Sequence, residues 1–446
     1  MNIRAILLGT AAFALLASPA VAAKSNDYDQ RLDQLQQMVQ QQNAEIQELK
    51  AGEAGEADDK EADAATAAQL DALQNQMYAN TASEKSAWWQ NTKVSGRMYF
   101  DISDAEQKTN GVDVANMKGV GFDIKRFYIG VDHKFDDVFS ANVTTDFLYD
   151  GTTKATQLYL KKAYLDAHIS DALDLRLGST DLPWIPFAES VYGYRYVENT
   201  LIDRVKIGTS ADWGVHLSGK FMGGVLNYAV SAIDGAGYKA PPSPGNVQKF
   251  KSIDLEGRVS ANFSNITLAV GGYSGKLGKD VQSGAVPPVA TTHHTATRFN
   301  ALAAYTDDNI RVGVEYFMAN NWNSVASPTT TTDKDSGYSA FASYKFDPQW
   351  GVFGRYDWVE EKNKSTAVTP ALVMKPNDNY YNVGITYSPA KIVDLSLVYK
   401  HDSVKHGAIA TQNGAGSLGS NCTPISATCT QAGSYSEIGL FGQFQW

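Results

Sequence analysis

From Lys93 onward the chain is made of segments of roughly ten residues in which apolar and polar side chains alternate, joined by connections that are short and long in turn. Successive side chains of a strand face opposite ways, so this pattern predicts strands with one apolar and one polar face. In the last segment Ile438, Leu440, Phe444 and Trp446 share one face, and Glu437, Gln443 and Gln445 share the other. About sixteen such segments run from 93–104 to 432–446, an even number that returns the chain to the side from which it entered. Turn chemistry marks the short connections at Asp136-Asp137, Ser170-Asp171, Gly223-Gly224, Ser264-Asn265, Asp307-Asp308, Pro348-Gln349 and Pro389-Ala390. Long polar stretches at 105–121, 235–249, 277–296, 321–335, 362–378 and 404–431 are expected on the opposite side.

This regularity favours an all-β transmembrane barrel over 93–446 rather than a soluble sandwich. No later stretch of about twenty uninterrupted apolar residues offers a membrane helix. A closed barrel needs none, because its strands satisfy one another's backbone groups. A barrel of about sixteen strands is wide enough for an aqueous lumen. The composition agrees: 11% aromatic with 23 Tyr, 37 Gly and only 14 Pro. A formal net charge of −10 disfavours nucleic acid as a partner.

Ahead of the barrel, residues 1–23 carry Arg4, a short apolar core and the small-residue run Pro19-Ala-Val-Ala-Ala, which predicts a secretory signal peptide. Residues 24–50 place Tyr28, Leu32, Leu35, Val39, Ile46 and Leu49 at heptad core positions, with Ser25 and Gln42 as polar ones. A coiled coil this short needs partner chains to persist, so a homotrimer is expected, with this segment in the periplasm. Residues 51–92 form a linker and a second helical stripe, ending at the Trp88-Trp89 pair suited to a membrane interface. Cys422 and Cys429 lie in a Gly/Ser/Thr-rich stretch of an exported chain, where a loop disulfide is expected. With no His between them they lack a metal-ligand set, and no cofactor is expected.

With the apolar face outward, parity sends Arg97, Arg126, Lys162, Arg176, Lys220, Arg258, Arg311, Arg355 and Lys400 inward. The same parity turns in Asp101, Asp132, Asp146, Asp166, Asp174, Asp254, Glu256, Glu315, Asp357, Asp394 and Glu437, so the lumen is mixed in charge. Any one of these groups can equally serve as half of a wall-to-wall ion pair. The longest central insertion, Thr180 to Ser210, combines Trp184, Phe187, Tyr192, Tyr194 and Tyr196 with Glu189, Arg195, Glu198, Asp203, Arg204 and Lys206. A segment folded into a pore packs its aromatics on the wall and leaves opposed charges to set a transverse field. The alternative is an outside loop covering the barrel or a trimer contact.

Four motifs carry a family resemblance: Lys125-Arg126-Phe127-Tyr128-Ile129-Gly130-Val131, Lys162-Ala163-Tyr164-Leu165-Asp166, Leu175-Arg176-Leu177-Gly178 and Asp212-Trp213-Gly214-Val215-His216-Leu217-Ser218-Gly219. With these the chain resembles the phosphate-selective porin O and P family of outer-membrane channels. The resemblance implies a trimer of barrels passing small anions, with Arg126 and Arg176 as basic pore residues. Two departures weaken strict phosphate selectivity. Tyr128 stands where the family tends to have arginine, and Ser-Thr-Asp follows Gly178 instead of a lysine-bearing run.

The function expected is passive diffusion of small hydrophilic solutes across an outer membrane, with a mild preference for phosphate or organic acids. A general or sugar-permeable pore is the alternative, since the tyrosine run at 192, 194 and 196 offers faces for pyranose rings. A structural tether between outer membrane and periplasm is a third reading. Enzymatic activity is not expected: His216 and Ser218 share a face without a third partner, and His293-His294 lie in a Thr-rich loop.

Overall fold

The structure is a computed structural model that describes residues 88–150, 155–239, 252–280, 292–327, 330–365, 372–420 and 430–446. The signal peptide, the coiled coil, most of the linker and both cysteines lie outside the described residues. Trp88–Asn91 form one 3-10 turn leading into the first strand, with Trp89 exposed.

Sixteen long antiparallel strands close on themselves, with a seventeenth, three-residue strand (Leu372–Met374) paired to residues 363–365 at the end of one of them. In chain order they are β1 (Thr92–Thr109), β2 (Val112–Lys134), β3 (Phe139–Asp150), β4 (Ala155–Ser170), β5 (Leu173–Asp181), β6 (Ala211–Phe221), β7 (Leu226–Ile233) and β8 (Asp254–Phe263). The second half comprises β9 (Ile266–Gly275), β10 (Ala296–Thr306), β11 (Ile310–Asn320), β12 (Thr330–Lys345), β13 (Trp350–Ser365), β14 (Asn377–Ala390), β15 (Val393–Lys405) and β16 (Ala432–Gln445). Each strand pairs with its neighbours in sequence, and β1 pairs with β16, from Arg97 opposite Gln445 to Thr109 opposite Gly433. Closure leaves no free edge, so every strand's backbone groups find partners within the sheet.

Every expected strand is present, and the seven short turns fall within two residues of their expected places. One expected loop is not a loop. Over 105–121, β1 and β2 run on as a long hairpin to a tight turn at Asn110 and Gly111, whose φ values are 51° and 80°. Asn-Gly with both residues left-handed is the hairpin turn whose twist matches the strands it joins. The polar composition of this stretch concealed that signal, because its side chains bury little on either face.

Alternation holds around the barrel. Ile102, Val143, Leu165, Leu177, Val230, Val259, Val270, Val314, Val383, Leu397 and Leu440 are all exposed on the outer face. On β11 to β15 this belt is bordered by aromatic rings at two heights. Tyr338 lies 6.2 Å from Tyr356 and 5.8 Å from Trp358 towards the long-loop end, and Trp350 lies 4.6 Å from Tyr387 near the short turns. An apolar belt between aromatic girdles is the surface a lipid bilayer selects.

Among the register shifts of the sheet, two turn an extra lysine inward. Between Tyr99 and Phe100 the register of β1 against β2 slips so that Tyr99 faces Arg126 and Phe100 faces Ile124, leaving Lys125 as the extra residue. Between Thr144 and Thr145 the register of β3 against β4 slips past Lys161 in the same way. Both lysines turn into the barrel, where the Lys125 Nζ lies 3.3 Å from Asp101 and the Lys161 Nζ donates to the Tyr128 hydroxyl at 3.3 Å.

Candidate functional site

The β5–β6 connection, residues 182–210, folds inside the barrel, where it contacts the inward side chains of the wall. It begins Leu182-Pro-Trp and then forms a short helix, α1 (Ile185–Tyr192), with Pro186 in its first turn. The helix ends at Gly193 with φ 80°, where the Gly193 N–H reaches back to the Glu189 carbonyl at 2.8 Å. A single turn, α2 (Leu201–Arg204), follows, and the segment returns to the wall at Ala211.

One face of this segment is the core of the molecule. Leu182, Trp184, Ile185, Leu201, Ile202, Val205 and Ile207 are buried against Ala269, Tyr273, Leu302, Phe317 and neighbouring residues of β9 to β13. Tyr196 and Val197 pack with Tyr99, Phe353, Val398 and Phe441. Each fully buried Leu or Ile contributes on the order of 1.5–3 kcal/mol, so apolar contact alone holds the segment firmly.

Polar contacts fix its position. The Trp184 indole donates to Glu315 at 2.7 Å and its backbone N–H to Glu256 at 3.0 Å. Arg258 donates to the Pro183 carbonyl at 2.8 Å, Arg298 to the Ile207 carbonyl at 2.7 Å and Arg355 to the Asn199 carbonyl at 2.5 Å. Arg204, with no side-chain exposure, reaches Asp357 at 2.8 Å, Asp378 at 2.7 Å and Asp402 at 3.0 Å. The wall that grips the segment therefore runs from β8 round to β16 and β1.

Arg204, on the insertion, and Arg355, by parity, were both expected on an anion path, and the structure corrects this. Arg204 is sealed among three carboxylates, and Arg355 is 4% exposed with its Nη2 on Asp357 at 2.6 Å. Lys400 is also buried, between Glu437 at 3.1 Å and Glu198 at 3.6 Å. Arg258 lies over the Phe187 ring, 4.0 Å from its centroid, as an anchor of the segment. Arg311 donates to the Tyr192 carbonyl at 3.1 Å.

The aromatics expected at the constriction are packed rather than presented. Tyr192 lies edge-on to Phe341 at 5.4 Å and accepts from Asn382. Tyr194 stacks on Phe353 at 4.1 Å, and the Tyr196 hydroxyl shares a hydrogen bond with Ser396 at 2.7 Å. Phe187 packs against Trp184 with centroids 6.2 Å apart.

The other face of the segment carries Glu189, Arg195 and Asp203, each part-exposed inside the barrel. Arg195 donates to Glu189 at 2.6 Å and lies 3.7 Å from Asp203. Across from them stand cations of β2 and β4: Asp203 is within electrostatic range of Arg126 and Lys161, and Lys161 within range of Glu189. Burial, reinforced by the Glu189 charge and opposed by Arg195, raises the Asp203 pKa above the usual carboxylate value.

The wall facing the segment is basic but mostly paired. Arg126 is 3.8 Å from Asp146, Lys162 pairs with Asp181, and Arg176 donates to Asp166 at 2.7 Å. Among the described residues Lys161 forms no ion pair, and neither do Arg97, Lys220, Arg258 and Arg311. Arg97 and Lys220 are exposed towards the short-turn end. Lys125 and Lys161 were missed by sequence reading because a bulge reverses the face of one residue. No pattern in a single chain announces it.

His216 bonds Ser231 at 2.8 Å and the Gly178 carbonyl at 3.2 Å, so this histidine has no carboxylate partner among the described residues.

The connection after β15 also turns inward. The Gln412 N–H donates to the Arg204 carbonyl at 2.8 Å, Lys206 to the Gly416 carbonyl at 2.8 Å, and Asn413 to Asp402 at 2.8 Å. Nothing in this Gly/Ser/Asn-rich stretch distinguishes it from an outside loop.

No protein-family model matches the sequence and no curated protein matches it, so the resemblance to phosphate-selective porins rests on the four short motifs. Among solved structures, the chain is similar to the anion-selective porin from Comamonas acidovorans at 11% identity and TM-score 0.53, over 79% of this chain and 99% of that one. OmpT, an outer membrane protein of Vibrio cholerae, gives 12% identity and TM-score 0.49 over 80% and 97% of the two chains. The outer membrane channel DcaP of Acinetobacter baumannii gives 12% and 0.46 over 78% and 96%. The first of these similarities extends over nearly the whole of the partner chain, and with the observed closure it establishes the fold as a sixteen-stranded porin-type β-barrel.

Proposed function

We propose that the protein is a bacterial outer-membrane porin through which small hydrophilic solutes diffuse passively, with a mild preference for small anions. The observation that carries the reading is the one-sided packing of residues 182–210. The segment grips the wall from β8 round to β16 and β1 and presents the part-exposed Glu189, Arg195 and Asp203 within electrostatic range of Arg126 and Lys161. Opposed charges in a narrow, low-dielectric passage act on a permeating ion far more strongly than the same charges in a wide vestibule. Lys125, Arg126, Lys161, Lys162, Arg176 and Arg195 are the proposed anion path. A homotrimer remains part of the proposal through the heptads of residues 24–50. The sugar alternative has less to rest on, since Tyr192 and Tyr196 are buried and Tyr194 is stacked on Phe353.

In a planar bilayer under a KCl gradient, the purified protein is expected to give a reversal potential of anion-selective sign. Neutralising both bulge-side cations, as Arg126→Gln with Lys161→Gln, is expected to move it to zero or to cation selectivity. Cation selectivity in the unaltered protein would end the anion reading, and absence of conductance would leave the tether.

Acidification supplies a second check. Asp203 faces Glu189, Arg195 and Asn199 on its own segment and Arg126 and Lys161 from the wall. Its raised pKa means that it takes up a proton at higher pH than an ordinary carboxylate, removing one negative charge from the gap. Anion preference is therefore expected to rise as pH falls, and Asp203→Asn is expected to show the low-pH selectivity already at neutral pH. A reversal potential that ignores pH in the unaltered protein would contradict this.

A further inference from the structure

Below the internal segment, towards the short turns, a recess of about 200 Å³ is lined by Gly193, Tyr194, Tyr196, Arg311, Ser343 and Thr386. We infer that this recess is a discrete binding site for one small oxyanion, a phosphate or a short carboxylate, held by the Arg311 guanidinium. The inference deepens the anion-path reading, on which it rests for the supply of anions.

Arg311 carries the argument. Its Nη1 donates to the Tyr192 carbonyl at 3.1 Å, while its Nε is buried with no hydrogen-bond partner. Among the described residues no carboxylate forms an ion pair with it. A desolvated guanidinium with unused donors is costly to keep, and its planar fork matches the oxygens of a carboxylate or phosphate. Gly193 makes the approach possible, because a Cβ there would overlap the Arg311 Nη1.

The acids that also line the recess are committed elsewhere. Asp394 accepts from the Ser388 hydroxyl at 2.5 Å and from the Gln443 amide at 2.6 Å. Asp307 accepts the Asn309 and Ile310 N–H groups at 2.8 and 2.6 Å, which holds its pKa below the usual carboxylate value and keeps it as the cap of its own turn. Asp308 and Lys345, both exposed, offset one another in charge. What is left for a ligand is one guanidinium with the hydroxyls of Ser343 and Tyr194 beside it, the Thr386 hydroxyl being shared with Ser396 at 2.7 Å. Arrangements of one cation and neighbouring hydroxyls fix an oxyanion's orientation as well as its charge.

The test is titration calorimetry of inorganic phosphate, and separately acetate, into the purified full-length protein in detergent. Saturable binding of about one anion per chain is expected, weakened roughly tenfold or more by Arg311→Gln. Arg311→Lys, which keeps the charge and loses the fork, is expected to fall between, and Ser343→Ala to weaken binding by a smaller factor. The lysine and alanine variants keep the test decisive if the glutamine variant fails to fold. Absence of saturable binding in the unaltered protein would overturn the site, as would equal affinity in Arg311→Gln or in both the lysine and alanine variants. Failure of the channel reading would show differently, as phosphate binding intact in a protein that passes no KCl current.

Discussion

Replacing Arg204 with leucine is expected to destabilise the protein by about 3–5 kcal/mol, the cost of stripping the partner from buried charge. Arg204 and Arg355 together face Asp357, Asp378 and Asp402. The cluster already lacks full compensation, for Asp378 Oδ1 and Asp402 Oδ1 are buried without hydrogen-bond partners. Among the described residues, without Arg204 Asp378 keeps no cation and Asp402 keeps the Asn413 amide alone. Leucine fills part of the volume but neutralises nothing. Because Arg204 lies on the internal segment and its three partners lie on the wall, the loss also loosens the segment. The current should become noisier and the mean conductance larger. Unfolding in detergent followed by tryptophan fluorescence reads the first effect, and single-channel recording reads the second. The triple variant Arg204→Leu, Asp378→Asn, Asp402→Asn separates charge from shape, since it removes the stranded carboxylates and should recover most of the stability. An Arg204→Leu protein with an unchanged unfolding midpoint and steady current would show that the apolar contacts of Trp184, Leu201 and Ile202 hold the segment unaided.

The barrel was legible in the sequence because lipid outside and water inside impose a two-residue period on every strand, and residues such as Leu397 and Leu440 obey it. The short turns were legible for a related reason: Asp, Asn, Gly and Pro relieve the backbone where the chain reverses. The interior was legible only in outline. Parity decides which face a residue takes, but not whether that face is open to water, and so Arg355 and Lys400 were counted with Arg126 although they lie buried in ion clusters, as does Arg204 of the insertion. The difference is set by residues far away in sequence, 198 positions in the case of Arg204 and Asp402. Bulges defeat parity itself, which hid Lys125 and Lys161. Phe441 shows the same limit: it lies in an alternating strand, yet it is fully buried and packs under the Lys400 ammonium at 4.0 Å from its ring centroid. The tyrosine run at 192, 194 and 196 lies on the segment that packs against the inward wall, and its rings are packed rather than presented.

The second large effect is expected from the connection after β15. Here Ala408–Ile409 pair with Leu418–Gly419, and residues 411–416 project from that small ladder into the barrel. Their contacts join three elements: the α2 turn through the Arg204 carbonyl, β15 through Asp402, and β1 through Gln107, whose side chain accepts from the Ala415 N–H at 3.0 Å and donates to the Ser417 carbonyl at 3.3 Å. A strap tied to the internal segment on one side and to β1 on the other narrows the long-loop mouth above the charged gap. Replacing residues 411–416 by two glycines keeps the pairing of Ile409 with Leu418 and removes the strap. Shortening such a connection costs little in closure entropy, so the barrel should fold. Conductance is expected to rise roughly twofold if the strap sets the narrowest section on that side. Selectivity should change less, because Arg126, Lys161, Glu189 and Asp203 stay in place. Recording the variant and the unaltered protein in the same KCl solution decides the matter. Equal conductance would place the limiting section wholly at the internal segment, and a large shift in reversal potential would mean that the strap, not the charged gap, governs which ions pass.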